Sequence, residues 1–204
     1  MYVPPKFSLD DDAAWQVVLD AGAGMLVIAS SGSLESVFVP VIVSDDRQTI
    51  HFHVAKANPW WRSVDDGMEV LGLFLSASAY VSPMNYPSKL EDPGVVPTWN
   101  YAAAEIRGRL KVHDDSTWLN EQVRALTDHF EEGRSPQWRV DDAPINYVER
   151  QLKAIVGLEI TVIAIQGKAK LSQNRPAADR NAVRDNFARG NFVERIVAAR
   201  MNDE

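Results

Sequence analysis

The chain has 204 residues, of which 46% are apolar and 24% are charged. This balance is typical of a soluble globular protein, and the length suits one domain that buries its own core. The chain has no cysteine, which excludes disulfide bonds, thiolate metal ligands and a cysteine nucleophile. The net charge of −7 argues against general binding to nucleic-acid phosphates, which depends on lysine and arginine.

The first predicted element is a helix within SLDDDAAWQVVLDAGAG. Ser8 can cap it, acidic residues in the first turn suit the helix dipole, and Gly22 or Gly24 ends it. The N-terminal stretch lacks the basic start and apolar run of a secretory signal. The longest apolar stretches, such as EVLGLFLSASAYV, are too short for a membrane span. We therefore expect a cytoplasmic protein without a membrane segment.

Three apolar, β-branched runs follow and predict strands at residues 24–30, 36–44 and 50–55. Pro40 in the second of them predicts an edge strand or a bulge. The third strand alternates, so that His51 and His53 lie on the face opposite its apolar residues.

The second half of the chain predicts long strands and several helices. MEVLGLFLSASAYVSP predicts a strand, a bend and a strand, and TWNYAAAEIRGRLKVH predicts a long strand with a bulge at Gly108. Helical spacing at 114–133 and a short helix at 145–154 precede a strand at 155–166. Two helices follow Pro176. Because strands and helices do not alternate, we predict a mainly β protein (α+β) with flanking helices and an antiparallel barrel.

Charge is distributed unevenly. Residues 166–200 carry eight basic and three acidic side chains, a balance of +5, so the rest of the chain carries −12. This basic section suits contact with a phosphate, a nucleic acid or an acidic partner subunit. Complementary packing within the protein or a dimer explains it equally well.

The sequence contains no clear catalytic or metal site. GAG at 22–24 ends a helix instead of beginning one, so it is not a dinucleotide-binding loop. His51 and His53 share a strand face, but no third ligand follows at a matching spacing. A hydrogen-bonding role for these histidines on a ligand-facing strand is the better interpretation.

The segment HVAKANPWWR, at 53–62, ends a strand with a lysine, an amide and aromatic surface. Lys56 can meet a phosphate, Asn58 can read ring heteroatoms and tryptophan can cover a planar ring. The alternative is a helix start after a turn, with Trp60 and Trp61 as core or dimer contacts.

VPTWNY, at 96–101, places Trp99 and Tyr101 on one strand face and Asn100 on the other. The alternation suits either a ligand or ordinary core packing.

KLSQNR, at 170–175, is harder to explain as core. It offers many donors just before a predicted helix start, which suits a phosphate or a polar ring. The alternative is a capping segment in which Asn174 or Ser172 satisfies the helix N-terminus.

Six ordered segments together resemble the PaiB family, described as FMN-binding negative transcriptional regulators. They are MYVPPKF, HVAKANPWWR, AYVSP, VPTWNY, AIVGLEI and KLSQNR, and they span the chain from Met1 to about Arg184. The resemblance implies a single split β-barrel domain over 1–204, with a helical, basic C-terminal section from about 176. It also implies a homodimer with FMN at the subunit interface.

The same resemblance supplies candidate FMN-binding residues, which belong to three of the matching segments. These are His53, Lys56 and Asn58; Trp99, Asn100 and Tyr101; and Lys170, Ser172, Gln173 and Asn174.

The chain departs from the family pattern at several positions. Phe38 and Glu105 stand where members commonly have histidine, Ser76 and Ala77 replace a glycine–proline pair, and Asn85 replaces a tryptophan. A glutamate near a flavin phosphate is unfavourable by about 1 kcal/mol at 4 Å in water. These departures leave open a divergent member that no longer binds FMN.

Three kinds of function follow from these observations. They are an FMN-binding sensor or regulator, a flavin-dependent oxidoreductase acting on a small molecule, and a protein without flavin that is either a module for another planar or phosphate-bearing ligand or a purely structural dimer. No residue is identified as a catalytic acid or base. Direct DNA binding is doubtful, because DDDAAWQVV is acidic and the C-terminal arginines are irregularly spaced among acidic residues.

Overall fold

The structure is a computed structural model that describes residues 1–202. Within that range the elements alternate little between helix and strand, as the sequence predicts. The strands are β1 (Ser8–Leu9), β2 (Ala23–Ser30), β3 (Ser33–Pro40), β4 (Ile42–Val43), β5 (Thr49–Ala55), β6 (Glu69–Val81), β7 (Thr98–His113) and β8 (Ile155–Lys170). The helices are α1 (Asp11–Ala21), α2 (Ser116–Glu131), α3 (Ile145–Lys153), α4 (Ala177–Ala188) and α5 (Phe192–Arg200).

The start of α1 differs from the prediction. Asp10 caps the helix, since its Oδ1 accepts the Ala13 backbone N–H at 2.8 Å. The prediction that Ser8 is the cap was wrong, because Ser8 pairs with Lys168 in the β1–β8 ladder. The predicted stop is confirmed: the helix ends before Gly22, which has a φ of 61°.

The strands form an antiparallel sheet in the order β3-β2-β6-β7-β8-β5-β4, with β1 paired to β8. The predicted class, mainly β with flanking helices, is therefore confirmed. Pro40 ends β3, the edge strand, which confirms its predicted edge position. The predicted strand at 36–44 is divided, because Pro40 has no N–H for the ladder and Val41 bonds to the Gly22 carbonyl.

The predicted strand, bend and strand at 68–83 form one continuous strand, β6. Its buried residues change phase along the strand, from Val70 and Phe74 to Ala77 and Val81. β7 is also unbroken through Gly108, where we predicted a bulge. A Cβ at Gly108 would lie 2.3 Å from Ile160 Cγ2 and 2.6 Å from a backbone oxygen, so only glycine fits this close approach.

The chain forms two compact units, each with its own buried residues. The first unit comprises Met1–Ala21, Phe74–Glu105 and the chain from Ile165 onward, and the second comprises Gly22–Leu73 and Ile106–Ala164. The largest fully buried side chains of the first unit include Phe74, Val17, Val18 and Phe187, and those of the second include Phe52, Ile50, Ile106 and Leu158. That residues 1–204 form one domain stays a prediction.

Candidate functional site

In the second unit, the histidine-bearing face of β5 is covered by α2. The predicted alternation is confirmed, since Ile50, Phe52 and Val54 are buried on the opposite face. His53 Nδ1 lies 2.9 Å from Oε1 of Gln122, a buried residue on α2. The histidine face of β5 is therefore a contact surface for a helix, and His53 already has a hydrogen-bond partner there.

Three polar side chains meet beside Trp118 of α2. His113 stacks on Trp118 with ring centroids 4.1 Å apart, and His51 meets it edge-on at 5.4 Å. Glu159 Oε2 lies 3.6 Å from His51 Nε2 and 3.3 Å from His113 Nε2. His51 and Glu159 are directly opposite in the β5–β8 register. Burial lowers the pKa of His51 below its ordinary value, although the Glu159 charge opposes the shift.

The segment after β5 forms a capped turn. Asn58 Oδ1 accepts the Trp60 backbone N–H at 3.0 Å and so caps the 3₁₀ helix Pro59–Ser63, whose Trp60 is buried. Trp61 Nε1 donates to the Lys56 carbonyl at 3.0 Å. These contacts match the alternative interpretation of this segment, a turn followed by a helix start.

Lys56 Nζ forms an ion pair of 2.6 Å with Asp114 Oδ1, and both side chains are partly exposed. Exposed pairs of this kind contribute about 0.2–1 kcal/mol, so a phosphate can compete for the lysine.

In the first unit, VPTWNY and KLSQNR bind each other. Asn100 is completely buried, and its Oδ1 accepts from Ser172 Oγ at 3.0 Å. Its Nδ2 lies 3.7 Å from Met201 Sδ. Lys170 Nζ donates to Thr98 Oγ1, one residue before Trp99. Two segments that are far apart in sequence are therefore joined by side-chain hydrogen bonds.

Other polar side chains of KLSQNR either form hydrogen bonds within the protein or face solvent. Gln173 folds back on β8, where its Oε1 accepts from Leu171 N at 2.7 Å and its Nε2 donates to Ala169 O at 2.8 Å. Asn174 is exposed. Neither Asn174 nor Ser172 caps α4, because Pro176 occupies the N-cap position and makes no side-chain cap bond.

An exposed aromatic pair lies in the same unit. Trp99 is 52% exposed and Tyr80 is 50% exposed, and their rings meet edge-on with centroids 6.2 Å apart. The predicted alternation is confirmed, since Asn100 points inward between Trp99 and the half-buried Tyr101. Lys168 Nζ lies 5.5 Å from the Tyr101 ring centroid. We name Tyr80, Trp99, Tyr101 and Lys168 the aromatic face.

The departures from the family pattern have identifiable surroundings. Glu105 is buried, and its Oε2 accepts from the Met1 α-amino group at 2.8 Å.

Phe38 is 65% exposed on β3, where it lies opposite Met25, and Met25 in turn lies opposite Leu73 on β6. Met25 and Leu73 are exposed as well. These three apolar side chains form a row across adjacent strands, which we name the apolar row.

Sequence reasoning missed several residues that the structure places at these positions. Gln122 lies between Leu119 and Leu126 on the buried stripe of α2, and a polar residue at that spacing is the signal that was available. Glu159 lies in an apolar strand run, and its role depends on register with His51. Tyr80 belongs to the AYVSP segment but was not singled out, because its contact with Trp99 depends on the packing of β6 beside β7.

Residues 1–202 show neither a metal-binding cluster nor a membrane-spanning helix. No three histidine, aspartate or glutamate side chains in this range are arranged to hold a metal ion. No helix in the same range is both long enough and apolar enough to cross a membrane.

The chain forms an antiparallel β-sheet with flanking helices, and its first unit carries an exposed aromatic face. A solved structure with the same fold is that of the FAD and heme binding protein from Mycobacterium smegmatis, with a TM-score of 0.62 and 15% sequence identity. The match covers 87% of this chain and 79% of that one. At this identity the likeness shows the fold alone.

This chain belongs to the family described as "Putative FMN-binding domain", whose model matches residues 1–164. It is 31% identical to protease synthase and sporulation protein PAI 2 of Bacillus subtilis, over 88% of this chain and 85% of that protein. It is 32% identical to uncharacterized protein AN0679 of Emericella nidulans, over 84% of each chain. The PaiB resemblance is therefore confirmed.

Proposed function

We propose that this protein is a cytoplasmic, FMN-binding member of the PaiB-like family and that it holds the flavin as a homodimer. The observation that carries the proposal is the exposed aromatic face of the first unit. Folding normally buries aromatic side chains of this size, and Trp99 and Tyr80 are half exposed instead. A planar ring system is the kind of ligand that such a surface covers.

The donor set of the first unit suits FMN. Trp99 and Tyr101 would contact the isoalloxazine ring, while Lys170 and the exposed Asn174 would meet the phosphate or ring polar atoms. Asn100, Ser172 and Gln173 have their polar atoms engaged with the protein, so we assign them the role of holding Lys170 and Trp99 in place. Bound FMN would supply the redox chemistry.

A second surface supports the proposed homodimer. The apolar row of Phe38, Met25 and Leu73 is exposed on three adjacent strands of the second unit, and contact with a second copy would remove it from water. In such a dimer Lys56 of the other copy is a candidate phosphate ligand. His53 and Asn58 then act by fixing the position of the strand end and of the turn that follows Lys56.

The test is the visible absorption spectrum of the purified protein, recorded before and after FMN is added and the excess removed. Retained flavin bands are expected. Trp99→Ala should weaken FMN binding by roughly 5- to 150-fold, since stacking on an aromatic side chain contributes about 1–3 kcal/mol. Phe192→Ala, which removes another exposed aromatic ring of the first unit, is the matched control. A colourless protein that releases added FMN contradicts the proposal and favours a divergent member.

A further assay separates the two flavin functions. Reduction of the bound flavin by NAD(P)H with turnover of an acceptor would favour an oxidoreductase, whereas a flavin that is bound and not turned over would favour a regulator.

We propose that any regulatory role does not depend on direct DNA contact. Five C-terminal arginines make contacts inside the first unit, which supports packing as the reason for the basic section. Arg175 lies over the Tyr86 ring, Arg180 donates to Met201 O, Arg184 pairs with Asp185, Arg195 donates to Gly190 O, and Arg200 pairs with Asp20. A DNA affinity that falls steeply with salt would contradict this proposal.

A further inference from the structure

We propose that a cavity in the second unit, separate from the aromatic face, binds a small, largely apolar molecule that carries one hydrogen-bond donor. The cavity has a volume of about 320 Å³ and lies among β5, α2 and α3. This volume is at the lower end of the roughly 300–1,000 Å³ typical of ligand pockets. Its walls are mainly aliphatic and include Val123, Val140, Val148, Leu152 and Ile155.

His53 gives the cavity a polar wall with a hydrogen-bond partner of its own. Its Nδ1 lies 2.9 Å from Gln122 Oε1, and this contact is a hydrogen bond in the tautomer that carries the proton on Nδ1. In the neutral ring Nε2 then has a free lone pair and accepts. Gln122 is 3% exposed, and its Nε2 has no partner among residues 1–202. The His53–Gln122 contact thus favours the tautomer in which Nε2 is the acceptor, on a residue that lines the cavity.

Two aromatic side chains on the cavity wall remain half exposed. Trp138 is 46% exposed and Tyr147 is 47% exposed. Such rings can cover a flat ligand that enters the cavity and lose their contact with water at the same time.

The lining residues favour a neutral occupant over a flavin phosphate. None of the described lining residues is an acid, a lysine or an arginine. A phosphate would find no cationic side chain among these lining residues and so would gain no charge-assisted hydrogen bond there. The expected occupant is therefore a neutral, planar molecule with one N–H or O–H group directed at His53 Nε2.

Indole is the probe, and benzothiophene, which has the same bicyclic shape without the N–H, is its matched control. Binding is measured by chemical-shift titration of the full-length protein, with the side-chain N–H of Trp138 as reporter. For a ligand of this size we expect a Kd on the order of 0.1–1 mM. Benzothiophene should bind roughly three- to tenfold more weakly, because it lacks the hydrogen bond.

Two variants assign the effects to the cavity. His53→Phe keeps a ring and removes the acceptor, so the preference for indole over benzothiophene should disappear. Thr127→Phe places a ring in the lining and should weaken indole binding by more than about tenfold. Ala125→Phe is the control, since it adds the same ring on the exposed side of α2.

Four outcomes would overturn the proposal. The first three are no shift of Trp138 at saturating indole, an unchanged affinity in Thr127→Phe, and equal affinities for the two probes in the native chain. Displacement of indole by FMN would also overturn it, because the cavity would then belong to the flavin site. Loss of FMN binding without loss of indole binding contradicts only the proposed function.

Discussion

Ser172 offers a quantitative test of how the two distant polar segments hold each other. Its side chain is buried and donates to Asn100 Oδ1 at 3.0 Å, and its backbone φ is 64°, in the left-handed region. We predict that Ser172→Ala lowers the free energy of unfolding by about 1–3 kcal/mol, because a buried acceptor loses its donor. Ser172→Gly loses the same bond, but glycine adopts this φ without strain. It should therefore be about 1 kcal/mol less destabilising than alanine.

The assay is urea denaturation followed by circular dichroism, with stability differences taken from midpoints at a common slope. Ser36→Ala, at an exposed strand position, is the control and should change stability by less than about 0.5 kcal/mol. A cycle with Asn100→Ala should give a coupling energy of about 0.5–3 kcal/mol. The reasoning is refuted if Ser172→Ala matches the native protein, or if the glycine variant is the less stable of the two.

Three further predictions concern other buried contacts. Gly157→Ala should destabilise the second unit by about 1–3 kcal/mol, because the added Cβ would lie 2.2 Å from a Trp118 ring carbon. Thermal unfolding checks this prediction, together with a broadened Trp118 signal. An unchanged melting temperature would contradict it. Burial lowers the pKa of His51 below 6.5, so the unfolded chain binds more protons below that pH. The free energy of unfolding should fall by at most about 1.4 kcal/mol per pH unit as the pH drops below 6.5. His51→Gln should flatten this dependence of stability on pH. Asp179→Ala should lower the free energy of unfolding by about 1.5–3 kcal/mol, because the buried carboxylate accepts from Ser88 N at 3.0 Å and from Ser88 Oγ at 2.7 Å. Asp179→Asn should lower it by less, and urea denaturation measures both variants.

The sequence predicted the strands and helices well where a local period was strong. The alternation in β5 and the long run of β7 were identified correctly, because burial of one face imposes a period of two on a strand. The cap of α1 was misassigned, since Ser8 and Asp10 are both capable caps and only the pairing of Ser8 with Lys168 decides between them.

The candidate site was predicted less completely. Ordered motifs identified the family, and the aromatic and basic residue types of a flavin site were recognisable in it. That these residues bind FMN stays a prediction. The polar residues Gln122 and Glu159 were missed, because each lies inside an otherwise apolar pattern and acquires its role only from a facing element.

The sequence by itself determined most element types, the placement of Asn100 on the face opposite Trp99 and Tyr101, and the polar face of β5, because these follow from periodicity within a few residues. Only the tertiary structure decided which polar groups meet. Ser172 binds Asn100 across 72 positions of sequence, and Glu159 faces His51 because of the β5–β8 register. Such pairings depend on strand register and long-range packing, and a one-residue shift in register would turn the same side chains to the opposite face.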